Sequence, residues 1–583
     1  MKKILREPLL YLLPLFAVLY VIIIPGRIEI LDTKLINNNK TENIKLPHSS
    51  NVGEHKSFLI TFNLQVKDKK NAKFQMIPDD CIREILINGE EFPMSTAQKA
   101  CDYVKGAYFD FSEHVQEGLN NFELRMHNFG GPGGLRVETP YNGLRSLSLM
   151  HYIFTLFLLL STALILRKFK FKFFAISIIL LGIVVRLILY TYTGPMQYSY
   201  DTDGHLQYIQ IISEEKRLPK FGECWSCHHP PLYYIGSAVV KNAIDSYDSN
   251  LTARVLQQSS LLFSFASIAF GVALILNLFG NRRYTYLASL IFVFWPGFVL
   301  AAPRIGNDIL FYFGALFCML FALRYWRFHK SSDMLLASIG AAIAVAAKST
   351  GIVILGTWVI IYILSVVSSL KIGSLRTLFI SAFIIALFVG FSNYRIAVNI
   401  FEGKKAVLME STSSLNSNLK VNNTVGNYLY FDLQDYLLVP YASAWNDKGG
   451  RQYFWNYALK TSLFGEFKFW SSPVGHIFAA SLSALALFIF LLALWGIIHV
   501  KFKEIPPLLF AVFLFAALIY LRISYPYSCS NDFRYIFPTL LPIAYFSVRG
   551  IQVIQNLRLK VLSYTALLIF ASLSFLFIVA QAF

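Results

Sequence analysis

Apolar residues gather in long runs separated either by short basic stretches or by longer polar segments. A helix needs about twenty apolar residues to cross the hydrocarbon layer, and on that criterion the chain holds about thirteen predicted spans. They lie at 8–25, 149–167, 172–191, 253–278, 283–302, 308–327, 333–347, 350–369, 375–395, 476–498, 506–523, 535–548 and 560–581, and two are short for the task. Residues 27–148 follow another period. Phe58, Ile60, Phe62, Leu64 and Val66 alternate with their neighbours, and Ile85, Leu86 and Ile87 run into Asn88-Gly89, a hairpin turn pair, so antiparallel strands and a small β-sandwich are predicted there. The run from Pro230 to Ile244 is apolar but short. Counted as a span it would reverse the side of every later loop, so it is expected to lie along the membrane interface.

Composition agrees with the runs. Of 583 residues, 55% are hydrophobic and 15% charged, against about 45–50% and about 25% in soluble domains. A multi-pass membrane protein is the reading, and disorder, collagen and coiled coil are excluded. The formal charge of +18 would suggest nucleic acid in a soluble chain, but the cations cluster between apolar runs. They lie at Lys2–Arg6, Arg167–Lys172, Arg282–Arg283, Arg327–Lys330, Lys371–Arg376, Lys501–Lys503 and Arg549–Lys560. Cytoplasmic loops collect Lys and Arg, and an N-terminus inside puts all these clusters on the cytoplasmic side of a bacterial inner membrane. Residues 1–26 read as a signal anchor, since Pro25-Gly26-Arg27 follows without a small-x-small cleavage site. The expected organisation is then an extracytoplasmic β-domain at 27–148, a transmembrane core at 149–395 with an external loop at 192–252, an external loop at 396–475, and C-terminal spans at 476–583.

Candidate chemistry concentrates in the loop 192–252. It contains Tyr198-Ser199-Tyr200-Asp201-Thr202-Asp203-Gly204-His205 and then Cys224-Trp225-Ser226-Cys227-His228-His229-Pro230-Pro231-Leu232-Tyr233-Tyr234. A carboxylate at the outer end of a span can be a helix cap or a solvated loop end. It can also be a general base, taking a proton from an acceptor hydroxyl while a lipid-borne donor stays in the bilayer.

These residues resemble the C-type (GT-C) glycosyltransferases, membrane enzymes that include protein O-mannosyltransferases and the lipid A aminoarabinose transferase. Their first external loop carries an acidic motif, in one bacterial branch Asp-Glu-x-x-His, followed by His-Pro-Pro-Leu-Tyr-Tyr. Asp201 matches the catalytic Asp, His205 the His, and His229–Tyr234 the second motif. Thr202 stands where Glu is usual, with Asp203 next, so either Asp201 or Asp203 is the base. Further matches are Ala302-Pro303-Arg304-Ile305-Gly306-Asn307-Asp308, Ala347-Lys348-Ser349-Thr350-Gly351 and Asp532-Phe533-Arg534-Tyr535. The resemblance implies a mostly α, polytopic GT-C fold and an inverting transferase that moves a sugar from a polyprenyl-phosphate donor to the hydroxyl of a glycan, lipid or protein. Arg304, Lys348 and Arg534, with His228 or His229, would hold the phosphate, and His205, Tyr233, Asn307, Asp308 and Tyr535 would complete the substrate site. No cofactor is required by this chemistry, no metal ligands are assigned, and a divalent cation is not demanded because the cations supply its charge. Arg186 receives no role.

The stretch Asp79–Gly89, with Gly118–Leu124 and Gly130–Gly134, resembles the jelly-roll sugar-binding modules attached to β-galactosidases, which implies sugar binding or a docking role for 27–148. In 396–475, Ser411–Asn418 has loop composition. Tyr428, Tyr430, Phe431, Tyr436, Tyr441, Trp445, Tyr453, Phe454, Trp455 and Tyr457 follow, as interfacial anchors or as a stacking surface beside a lid. Of the six cysteines, Cys81 and Cys101 are candidates for a bridge. Cys224 and Cys227 form a disulfide or a packed thiol pair in preference to a c-type haem or zinc site, and Cys318 and Cys529 are small buried residues. The rivals to a transferase are a lipid or sugar transporter, which should show inverted repeats, and a non-catalytic glycan-binding membrane protein.

Overall fold

The structure is a computed structural model. It describes residues 29–580 except 39, 45, 47, 51, 67–68, 70–71, 95–100, 102–105, 131–132, 139–148, 196, 221, 246–251, 370–373, 395–397, 399–416, 448–449 and 470–471. The expected anchor at 8–25 and most of the Ser411–Asn418 loop lie outside the described residues.

The N-terminal part is a β-sandwich. Strands β1 (Glu29–Asn37), β2 (Lys40–Asn43), β4 (Lys56–Val66), β6 (Cys81–Ile87), β7 (Glu90–Glu91) and β9 (Gly118–Asn128) form one antiparallel sheet in the order β2-β1-β4-β9-β6-β7. Strands β3 (His48–Ser50), β5 (Lys73–Pro78), β8 (Ala107–Asp110) and β10 (Gly133–Glu138) form the other, in the order β3-β10-β5-β8. The alternation seen in β4 sends Phe58, Ile60, Phe62, Leu64 and Val66 inward, where Phe62 stacks on its cross-strand partner Phe122 at 5.2 Å. Phe74, Met76 and Phe109 of the second sheet close the same core. Asn88 and Gly89 have φ of 53° and 88°, as a tight two-residue hairpin turn requires. Cys81 and Cys101 are disulfide-bonded.

Among the described residues nine helices are long and apolar enough to cross a membrane, fewer than the thirteen expected. The missing ones have separate reasons. The run 8–25 is not described, and Leu149–Lys168 is a helix that starts at the edge of an undescribed stretch. The run 283–302 breaks at Trp295-Pro296 into Arg282–Phe294 and Pro296–Leu300, and 333–347 becomes the shorter helix Ser331–Ala347. Small residues let these helices meet backbone to backbone. A Cβ on Gly314 would lie 2.7 Å from the Ala344 nitrogen, and one on Gly340 2.6 Å from the Cys318 nitrogen, so Asp308–Phe328 and Ser331–Ala347 pack through a small-residue seam. Arg186 is fully buried within Phe173–Tyr192; it donates to Gly182 O, Val293 O and Ser264 Oγ and lies over the Phe298 ring.

The segment predicted as a lid and aromatic surface contains three helices among its described residues, Val425–Leu429, Leu433–Leu438 and Phe454–Phe464. Tyr436, Tyr441, Phe454 and Tyr457 are buried in the core, and Tyr430 and Trp445 are half exposed. The short apolar run after Pro230 is the helix Leu232–Asp245.

Candidate active site

The loop that leaves Phe173–Tyr192 turns back sharply. Tyr198 and Asp201 both adopt left-handed backbone, at φ 47° and 53°, which costs non-glycine residues energy and persists where surrounding contacts enforce it. Asp201 precedes the helix Thr202–Glu215, and its carbonyl accepts the His205 N–H, yet its carboxylate makes no capping bond to that helix. Its oxygens point elsewhere. Oδ1 accepts the indole N–H of Trp225 at 2.8 Å, and Oδ2 lies 3.6 Å from Nη2 of Arg534.

Arg534 comes from the turn Phe533–Thr539, where the sequence predicted a regular span from 535; the backbone kinks at Ile536 and contains Pro538. Its guanidinium lies over the Tyr200 ring at 3.9 Å, reaches Tyr535 Oη at 3.3 Å and faces Asp532 at 3.5 Å. Tyr312 Oη anchors its backbone by donating to the Arg534 carbonyl at 2.7 Å. Arg304 shares the Tyr200 ring at 4.7 Å, lies over Phe467 at 5.2 Å and donates through Nε to Tyr198 O at 2.7 Å. Among the described residues it has no carboxylate partner, so the outer guanidinium nitrogens remain available. Lys348, buried at the end of Ser331–Ala347, is ion-paired with Asp308 and sits 4.4 Å from the Tyr535 ring centre. Asn307 joins the two turns by donating to Ala347 O at 2.8 Å.

Behind Asp201, His205 hydrogen-bonds Tyr234 Oη through Nδ1 at 2.8 Å and stacks on His229. Burial holds the His205 imidazole down at about 4, against the opposing pull of Asp201 and Asp308, so it is neutral at physiological pH. Burial also keeps His229 well below the ordinary histidine range, with His228 and His205 adding to the effect. Tyr233 Oη accepts the Gly306 N–H at 3.0 Å. Tyr200, His205, Arg304, Gly306, Asp308 and Tyr312 are among the residues lining one cavity.

The structure therefore brings Asp201, His205, Arg304, Asp308, Lys348, Arg534 and Tyr535 together, with Asn307, Tyr233 and His229 bracing the surrounding backbone and rings. Two expected residues point away. Asp203, in the first turn of its helix, binds Arg136 of β10 at 2.7 Å, and His228 is exposed, donating through Nδ1 to Trp225 O at 3.0 Å.

Sequence reasoning passed over Tyr200, Trp225 and Glu466. Tyr200 is the ring shared by both arginines, and its Oη accepts the Glu466 N–H at 2.9 Å. Glu466 also accepts from Tyr457 Oη, and burial, with the Asp532 carboxylate next in effect, pushes it up to about 7. Tyr200 and Trp225 sit inside the quoted motifs, but nothing local marks Glu466. Cys224 and Cys227 are disulfide-bonded. Among the described residues no three His, Cys, Asp or Glu side chains group as a metal site. Asp201 and Asp308 are each faced by a cation of this chain.

No family model matches the chain, and no curated protein matches it. Among solved structures it is similar to the oligosaccharyltransferase of Archaeoglobus fulgidus in complex with Zn and sulfate, at 16% identity and a TM-score of 0.39 over 70% of this chain and 53% of that one. It is also similar to the arabinosyltransferase EmbB of Mycobacterium smegmatis, at 9% identity and a TM-score of 0.38 over 93% of this chain and 52% of that one. The chain spans about half the length of these solved structures.

Proposed function

We propose that the protein is an inverting membrane glycosyltransferase that moves a sugar from a polyprenyl-phosphate donor to an acceptor hydroxyl on the outer face of a bacterial inner membrane. The observation that carries this reading is the orientation of Asp201. Its carboxylate does not cap its own helix but faces Trp225 and Arg534 beside Arg304 and the Lys348–Asp308 pair.

In the reaction, the acceptor oxygen attacks the anomeric carbon as its proton passes to Asp201. The new C–O bond forms while the bond from that carbon to the phosphate oxygen breaks, and the electron pair leaves on the polyprenyl phosphate. Arg304, with free donor capacity, takes the phosphate, and Arg534 and Lys348 offset the charge that grows on it. Such charge stabilisation by preorganised donors is usually the largest contribution to catalysis. One base and one displacement give inversion. His205, neutral and fixed by Tyr234, is a wall and a hydrogen-bonding group, not a second cation. Asp203 is assigned to the Arg136 contact and Asp201 to the chemistry.

The test is mass spectrometry of lipid-linked sugars and envelope glycans in cells lacking the protein, complemented with wild type or Asp201→Asn. Loss of one glycan and build-up of its lipid-linked precursor, rescued by wild type alone, is expected. Rescue by Asp201→Asn would refute the reading.

A further inference from the structure

We infer that Trp225 is a positioning residue for Asp201, and that the loop closed by Cys224–Cys227 serves to present it. The catalytic half of this inference rests on the reading of Asp201 as the base; the geometric half does not.

An interfacial tryptophan ordinarily turns its N–H toward headgroups and its ring toward lipid. Trp225 is 48% exposed, yet its N–H is committed to Asp201 Oδ1 at 2.8 Å. The residues around it leave little freedom. Cys227 N–H donates to Cys224 O, His229 N–H to Ser226 O and His228 Nδ1 to Trp225 O, and the disulfide closes the same turn. The helix that begins at Thr202 is seated directly on this loop. A Cβ on Gly204 would lie 2.8 Å from Ser226 Oγ and 2.9 Å from Trp225 Cβ, so that contact needs a glycine.

Asp201 is the residue in this assembly that needs holding. Its backbone is left-handed, its carboxylate gains nothing from its helix, and its other tie, to Arg534, is longer at 3.6 Å. The indole N–H occupies one oxygen and leaves the second facing Arg534 at 3.6 Å.

The test is residue-resolved carboxylate labelling of the full chain in lipid nanodiscs, using a water-soluble carbodiimide with glycine ethyl ester and reading each aspartate by peptide mass spectrometry. Trp225→Phe keeps a ring and removes only the donor, whereas Cys224→Ser with Cys227→Ser keeps the indole and opens its loop. Both should label Asp201 at least severalfold faster than wild type, with Asp203 and Asp308 unchanged and the melting temperature nearly so. Those unchanged sites distinguish positioning from general loosening. If Trp225→Phe does not fold, the cysteine pair carries the test. Asp201 labelling within twofold of wild type in the folded variants would overturn the inference. In a second arm, consumption of the cells' own extracted lipid-linked sugars by Trp225→Phe should fall about tenfold in kcat with KM unchanged. Turnover equal to wild type would overturn the catalytic half. If wild type itself consumes none of them, the proposed function fails and the labelling result stands.

Discussion

Replacing Arg136 with alanine should loosen the start of the helix Thr202–Glu215 while both parts of the protein stay folded. Arg136 lies on β10 of the sandwich, and Nη2 meets Asp203 Oδ2 at 2.7 Å with side chains 24% and 30% exposed. Exposed ion pairs contribute about 0.2–1 kcal/mol, and hydrogen bonds to charged groups about 1.5–3 kcal/mol. A pair shielded to this degree falls between them, at about 1–2 kcal/mol, a factor of roughly 5–30 in a local opening equilibrium. The amides of His205 to Tyr208 report that opening, because the His205 N–H is bonded to Asp201 O within the turn the pair secures. Hydrogen exchange with mass spectrometry in nanodiscs should show those amides exchanging about 5–30-fold faster in Arg136→Ala, by the same conversion. Arg136→Lys should lie between, since it keeps charge but loses the planar fork. Unchanged exchange at those amides, with the sandwich intact, would refute the claim that the Arg136–Asp203 pair secures this turn.

The same interface should respond to pH. Burial pushes the Asp79 carboxyl up to about 7, with Arg136 opposing and Asp80 and Asp203 adding. The folded domain therefore holds a proton that the unfolded chain releases near 4, so this group's contribution is full below about pH 4 and is lost as pH rises toward 7; Asp79→Asn should flatten that part of the domain's melting profile. Lys348→Met should strand the Asp308 carboxylate. Breaking a buried pair costs about 3–5 kcal/mol, and the 27% exposure of Asp308 puts this one at the low end. Adding Asp308→Asn should restore the melting temperature without restoring transfer, and recovery of transfer would remove the pair from the site. Arg304→Lys keeps charge but loses the stack on Tyr200 and Phe467. It should raise KM for lipid-linked sugar about tenfold with a smaller change in kcat, and an unchanged KM would exclude Arg304 as a phosphate ligand.

Much of the candidate site was legible through the motif resemblance, which picked out Asp201, Arg304, Lys348 and Arg534, and charge at the end of an apolar run is costly unless used. What joins them was not legible. Glu466 meets Tyr200 across 266 residues of sequence, and Trp225 meets Asp201 across 24, distances over which no periodicity carries information. The helix Phe454–Phe464 was hidden for a related reason. Asn456, Lys460, Thr461 and Ser462 are fully buried in it, and Lys460 is satisfied by Asp435, so its polar residues read as surface although they face the interior. The break at Trp295-Pro296 was available in the sequence, since proline starts helices more readily than it continues them, but the apolar run through it hid the boundary. Asp203 looked equivalent to Asp201 until Arg136 arrived from a different domain.

If Asp201 is the base, its loss is read in the consumption of extracted lipid-linked sugars by purified, reconstituted protein. A positioned general base contributes about 10² to 10⁴ in rate. Asp201→Asn should therefore lose at least about a hundredfold in transfer while still binding the donor lipid, and Asp203→Asn should retain most of its activity. Transfer by a folded Asp201→Asn variant at the wild-type rate, or a greater loss in Asp203→Asn, would contradict the account.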